Sequence, residues 1–201
     1  MANVIAPTGF RPLKSITGSP YNGEAGMYHI PSTDGSVYAI GDLVQTAANS
    51  DVNGVPDVSK CASAASRIRG AVVAIFVTPP NGLPTLQGAP LTLELINIPA
   101  TKTKDYYVLI ADDPHLLFEV QDDGLAVLGQ TAANKNIDFS VANGSFFSGS
   151  TLKTSTVAVT STLPLRIVGA KQVTNNNITL AYGTWLVLIN QHDLGANTAG
   201  I

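Results

Sequence analysis

The chain has 201 residues, with 11 Lys plus Arg against 14 Asp plus Glu and a net charge of -3. Only 12% of its side chains are charged, about half the roughly 25% of a typical soluble domain. The acidic balance argues against a dedicated nucleic-acid binder, which shows a basic face and a high pI, and 45% hydrophobic residues argue against a wholly disordered chain. Cys61 is the one cysteine, which rules out an intrachain disulfide and a zinc site of paired thiolates. It reads as a small, half-buried residue. The opening MANVIAPTGFRPLK is broken by Pro7, Gly9 and Pro12 and has no apolar run of signal-peptide length. The longest apolar run, Ala71 to Val77, is far short of the roughly 20 residues of a membrane helix. The expectation is a cytosolically made protein, soluble or part of an assembly, with no membrane partner and no direct contact with nucleic acid.

Residues 1–26 read as an extended N-terminal arm. Pro7, Pro12 and Pro20 alternate with Gly9, Gly18, Gly23 and Gly26, which disfavours both helix and central strand. The segment still carries Val4, Ile5, Phe10, Leu13, Ile16 and Tyr21, with Arg11 and Lys14 as its only charges up to residue 23. An apolar, mildly basic arm lies along a neighbour or wraps its own domain.

The remainder, 27–201, reads as a β domain. Met27 to Ile30 is a short strand stopped by Pro31, and Asp34-Gly35 is a tight-turn dipeptide. Residues 37–44 alternate, with Gly41 marking a bulge or a close approach. Asn49 to Pro56 is a turn-rich loop. The run RGAVVAIFV ending at Val77 suits a strand buried on both faces, with β-branched content favouring strand over helix. A proline-rich loop over 78–84 precedes a partly alternating stretch, 91–98. Tyr106 to Ile110 and Leu116 to Val120 flank the turn Asp112-Asp113-Pro114. Leu125 to Gly129 has the length of a single helical turn. Residues 131–163 are polar, with Val141, Phe146 and Phe147 as anchors. Leu165 to Val168, Ile178 to Tyr182 and Trp185 to Ile189 are the last strands. Eight to ten short strands and at most one short helix define an all-β fold, a single sandwich or barrel.

Chemistry-bearing patterns are sparse. Asp112, Asp113, Glu119, Asp122 and Asp123 form the densest acidic cluster. In one pocket they would serve a hard cation or glycoside acid/base work, but the spacing is not that of a calcium loop, and Asp before Pro114 and Gly124 suits turns. His29, His115 and His192 show no ligand spacing. There is no Walker loop, dinucleotide fingerprint or nucleophile elbow, so neither a cofactor nor a catalytic residue is assigned. Trp185 and the pair Tyr106-Tyr107 read as core or interface anchors, with sugar stacking as the other use of such rings.

Three stretches, in order, resemble a known family. The first is Ala6-Pro7-Thr8-Gly9-Phe10-Arg11-Pro12, continuing through Gly18-Ser19-Pro20-Tyr21-Asn22-Gly23, Tyr28-His29-Ile30-Pro31-Ser32 and Tyr38-Ala39-Ile40-Gly41-Asp42-Leu43-Val44. The second is Tyr107-Val108-Leu109-Ile110-Ala111-Asp112-Asp113-Pro114, leading into Leu117-Phe118-Glu119-Val120-Gln121-Asp122. The third is Leu165-Arg166-Ile167-Val168-Gly169 with Trp185-Leu186-Val187-Leu188-Ile189-Asn190-Gln191-His192. Together they look like the tailed-bacteriophage capsid decoration, or cement, proteins of the kind seen in a Bordetella phage. The match is weakest over 131–163. The resemblance implies a jelly-roll-like β domain on the outer surface of a virion shell, clamping neighbouring major capsid proteins. It carries over no catalytic residue. It fits self-association as a dimer or trimer, with Phe10, Arg11, Pro12 and Tyr21 anchoring the arm and Arg11 and Lys14 meeting acidic patches on the shell. The rival expectations are a carbohydrate-binding β-sandwich and, further off, a hydrolase built on the Asp112–Asp123 carboxylates.

Overall fold

The structure, a computed structural model, describes residues 2–63, 67–77 and 97–195. Among them the chain is all-β, its sheets packed as a sandwich. Where one sandwich or barrel is expected from the sequence, the structure holds both kinds of sheet. An open antiparallel sheet has the order β1-β9-β13-β12-β10-β11: β1 Arg11–Ser15, β9 Leu116–Gln121, β13 Thr184–Ile189, β12 Leu165–Ala170, β10 Asn136–Ser140 and β11 Thr151–Ala158. A closed barrel has the order β2-β5-β4-β6-β8: β2 Gly26–Ile30, β5 Pro56–Lys60, β4 Leu43–Ser50, β6 Gly70–Val77 and β8 Tyr106–Ala111. A two-stranded piece, β3 Tyr38–Ala39 with β7 Asn97–Ile98, covers the barrel, since Tyr38 and Ile98 join its core.

Alternation decides which face each strand buries. In β8, Tyr106, Val108 and Ile110 point into the barrel, while Ala111 belongs to the layer between the sheets. In β13, Trp185, Val187 and Ile189 are buried and the residues between them are half-exposed, the period-2 pattern of a strand with one covered face. The open sheet lays this face on the barrel wall, where Leu43, Ala71 and Ala111 receive Phe118, Ile167 and Val187. Small residues let the wall close up: a Cβ at Gly70 would stand 2.1 Å from the Ala111 carbonyl oxygen.

Several expectations need correction. Of the two courses expected for the N-terminal segment, residues 2–26 take the second and lie along their own domain, more closely packed than an arm needs to be. Phe10 is 1% exposed and meets Phe139 edge-on at 5.8 Å, burial that stabilises the fold by about 2 kcal/mol. Arg11–Ser15 is a strand on its own domain's sheet, and the boundary at residue 26 falls on the first residue of β2. Pro12 is tolerated because β1 is an edge strand, where a ladder donor can be missing. The polar stretch 131–163 contains β10 and β11, and Phe146 and Phe147, expected as anchors, are 57% and 44% exposed; the anchors are Ile137, Phe139 and Leu152. Ile178 to Tyr182 is not a strand, and the short helical turn is a 3-10 turn at Gln130–Ala132. The proline-rich loop expected over 78–84 and the 91–96 part of the partly alternating stretch lie outside the described residues.

Candidate functional site

The N-terminal residues form one edge of the open sheet. Arg11 faces Glu119 and Pro12 faces Phe118, but Lys14 faces Leu117, so Leu13 is an extra residue in the ladder. Such a bulge re-aims a side chain, and Leu13 is exposed, as is Ile16. Beyond Ser15 the chain turns back: Gly18 N–H donates to the Ser15 carbonyl, Ser15 N–H to Ser19 and Tyr21 N–H to Leu13. This return covers part of the free edge, a common guard against unwanted strand pairing.

Upstream, side-chain amides hold the chain on its own domain. Asn3 Nδ2 donates to the carbonyls of Asn177 and Ala181 at 2.9 and 2.8 Å. Ala6 N–H donates to Gln121 Oε1 at 3.0 Å, and Gln121 Nε2 donates to the Val4 carbonyl at 2.8 Å. Val4 and Ile5 nonetheless remain 75% and 62% exposed. The backbone crosses the β3–β4 turn at Gly9 and Gly41, both at positive φ. A Cβ on Gly41 would lie 2.5 Å from the Thr8 carbonyl oxygen, so the two strands of chain touch backbone to backbone.

Of the expected contact residues, Arg11 and Lys14 are exposed and Pro12 is half-buried. Tyr21 is half-buried and packs against the inter-sheet core. Desolvation, followed by the nearby Asp112 and Glu24, pushes its phenol up. Phe10 is withdrawn from any partner. The exposed apolar residues along this edge are Val4, Ile5, Leu13 and Ile16. They are visible in the sequence as the arm's apolar content, but only the bulge and the loop geometry decide that they face outward and Phe10 inward.

The acidic cluster is dispersed. Asp112 accepts from the Tyr28 hydroxyl at 2.5 Å. Asp113 accepts from the His115 amide, a turn contact. Glu119 pairs with Lys171 at 2.7 Å. Asp123 accepts from the Thr154 hydroxyl at 2.6 Å. Asp122 is buried and accepts from Gly124 N, Gly183 N and Trp185 Nε1. Burial pushes its carboxyl up, against the pull of those donors. Among the described residues no group of three or more His, Cys, Asp or Glu is placed to hold a metal ion. Trp185 is buried, and Cys61 is fully buried, its thiol pushed up by desolvation.

A cleft of about 840 Å³ opens beside β4 and β5 and is lined by His29, Thr46, Ser50, Asp57, Arg69 and Asp193 among others. Its charges are already paired. Arg69 Nε lies 3.0 Å from Asp193 Oδ1 and its Nη2 donates to Thr46 Oγ1 at 2.9 Å. His29 Nδ1 sits 2.6 Å from Asp57 Oδ1, and its Nε2 lies 3.6 Å from Asp105 Oδ2.

Compared with family models, curated proteins and solved structures, the chain matches none.

Proposed function

We propose that this protein is a structural virion component, a decoration protein that binds the outer surface of a phage shell and links neighbouring major capsid proteins. The observation that carries the reading is the N-terminal edge, where Val4, Ile5, Leu13 and Ile16 stay exposed beside the cationic Arg11 and Lys14. Exposed apolar residues gathered along one edge and rimmed by charge suit contact with another protein. The resemblance of three ordered stretches to cement proteins, and the jelly-roll-like module it implies, point the same way. On a repeated lattice, modest contacts multiply through avidity. A ligand that binds only the assembled shell stabilises it by mass action. Self-association as a dimer or trimer would multiply the contacts further. The reading assigns no catalytic residue and no cofactor.

The test is co-sedimentation with expanded shells that lack this protein, together with the shell's melting temperature. Deleting residues through 26 is the wrong variant, because it removes Phe10 and β1 from the core. A double substitution at exposed positions, Leu13→Glu with Ile16→Glu, leaves the core intact. Binding and a raised shell melting temperature with the parent chain, both lost in this variant, are the expected result. Equal binding by both would overturn the docking edge. No binding by either to any candidate shell would overturn the decoration role, and a glycan array would then take up the rival carbohydrate-binding reading, for which the buried Trp185 offers no platform.

A further inference from the structure

We propose that Lys60 and Asn143 form an intramolecular isopeptide cross-link with Asp42 as the proton carrier. The inference stands independently of the decoration role. Lys60 is the last residue of β5 in the barrel, and Asn143 lies in the loop between β10 and β11 of the open sheet. The Lys60 Nζ contacts Asn143 Oδ1 at 2.9 Å and Asp42 Oδ2 at 2.8 Å, and it also donates to the Val37 carbonyl at 2.9 Å. The Lys60 side chain is 9% exposed and that of Asp42 is 0% exposed. Asp42 Oδ2 is also held by the Ala39 amide at 2.8 Å, while its Oδ1 is buried without a hydrogen-bond partner. Amine, carboxamide and buried carboxylate thus meet at one point.

Asn143 is itself exposed, but the loop carrying it is pinned on both sides. Ser148 N–H donates to the Ile40 carbonyl at 2.8 Å and Gly149 N–H to Ala142 at 3.0 Å. Asn97 Nδ2 donates to the Ser145 carbonyl at 2.9 Å. Holding a nucleophile and its target in contact converts a slow bimolecular step into an intramolecular one.

In the step, the Lys60 ammonium gives one proton to the Asp42 carboxylate. The neutral amine attacks Asn143 Cγ, as a desolvated lysine does at a carbonyl. The C–N bond to the Asn143 amide nitrogen then breaks, and that nitrogen leaves with two protons, the one from Asp42 and the second that the attacking nitrogen sheds. One Nζ–Cγ amide forms, one ammonium ion departs with the positive charge that Lys60 carried, Asp42 is regenerated as the carboxylate, and no oxidant or reductant is needed; the neutral chain is lighter by one ammonia. The bond would join barrel to open sheet across a span of 83 residues.

Intact mass of the purified full chain, after incubation at mildly alkaline pH, is the test. The expected mass lies below that of the sequence by one ammonia, with trypsin yielding a branched peptide uncut at Lys60. The deficit should vanish in both Lys60→Arg and Asn143→Ala, the latter an exposed position that the fold tolerates. A parent chain at its full sequence mass would overturn the proposal and leave Lys60 as a hydrogen-bonded lysine only. A deficit that survives in Lys60→Arg would also overturn it, since that result marks ring closure of Asn143 onto the Gly144 nitrogen.

Discussion

The barrel and the open sheet solve the same packing problem with different chemistry. The open sheet rests on alternation: Phe118, Trp185, Val187 and Ile167 are buried side by side against the barrel wall. Its clearest ion pair, Lys171 with Glu119, is half-solvated. The barrel encloses a smaller apolar core, filled in part by Tyr28, Tyr38 and Tyr106, and it is closed by buried charge pairs. Lys102, whose side chain is 0% exposed, bonds the Asp34 and Ser36 carbonyls. Asp42 holds Lys60, and Asp193 holds Arg69. His29 faces Asp57 at the barrel's parallel seam. A five-stranded barrel is narrow, so large residues fill it and their polar ends emerge at the rim, where each needs a partner. The hydroxyls of Tyr28 and Tyr38 meet Asp112 and Asp34 in this way, and burial pushes both phenols up, with the carboxylates adding to it. A barrel sealed by ion pairs is specified by geometry. A sheet packed by apolar alternation tolerates repacking better.

That contrast can be broken from either side. The largest loss is expected in the sheet, where Trp185→Ala should cost about 3–5 kcal/mol in urea unfolding and also remove one of the three donors to the Asp122 carboxylate. On the barrel side, Lys102→Ala leaves Asp34 without its cation and should cost about 3 kcal/mol, while Lys102→Met, which restores the side-chain volume but not the charge, should recover only the packing part of it. Full recovery by Lys102→Met would show that the pair's role is not electrostatic. The seam between the two regions is probed by Gly41→Ala, which forces a side chain into a positive-φ position against the Thr8 carbonyl. It should cost on the order of 1–3 kcal/mol, read from the melting temperature.

The smallest effect is a pH dependence from His192, whose strand-end segment bridges Ile68 of the barrel side. Burial, and then the charge of Arg69 against the pull of Asp193, holds its imidazole below the ordinary value of 6.5. The folded state therefore favours the neutral ring, so this stability is present above the unfolded pKa and falls as pH drops below it. Stability measured from neutral to mildly acid pH should decline in the parent chain and decline less in His192→Asn.

Legibility tracked how far each segment's pattern depended on its neighbours. Tyr106 to Ile110, Leu116 to Val120 and Trp185 to Ile189 could be read as strands because one face is apolar at period two. β10 and β11 could not, because Asn136, Asp138 and Thr154 are buried polar residues satisfied by groups distant in the chain. Asn136 Nδ2 donates to the Thr160 carbonyl, and the Thr154 hydroxyl donates to Asp123. The apolar pattern of Ile178 to Tyr182 was misleading for the converse reason: Asn177 caps Thr179 locally and Asn3 grips the carbonyls around it. The turn roles of Asp113 and Asp123 were local and therefore visible.

By itself the sequence determined the all-β class, most of the strands and the turn aspartates, since each depends on residues within a few positions. Only the tertiary structure decided that Phe10 is core and Leu13 surface, that one chain builds both a barrel and an open sheet, and that Lys60, Asp42 and Asn143 meet. Those outcomes depend on register, bulges and long-range contact, where a shift of one residue reverses every face.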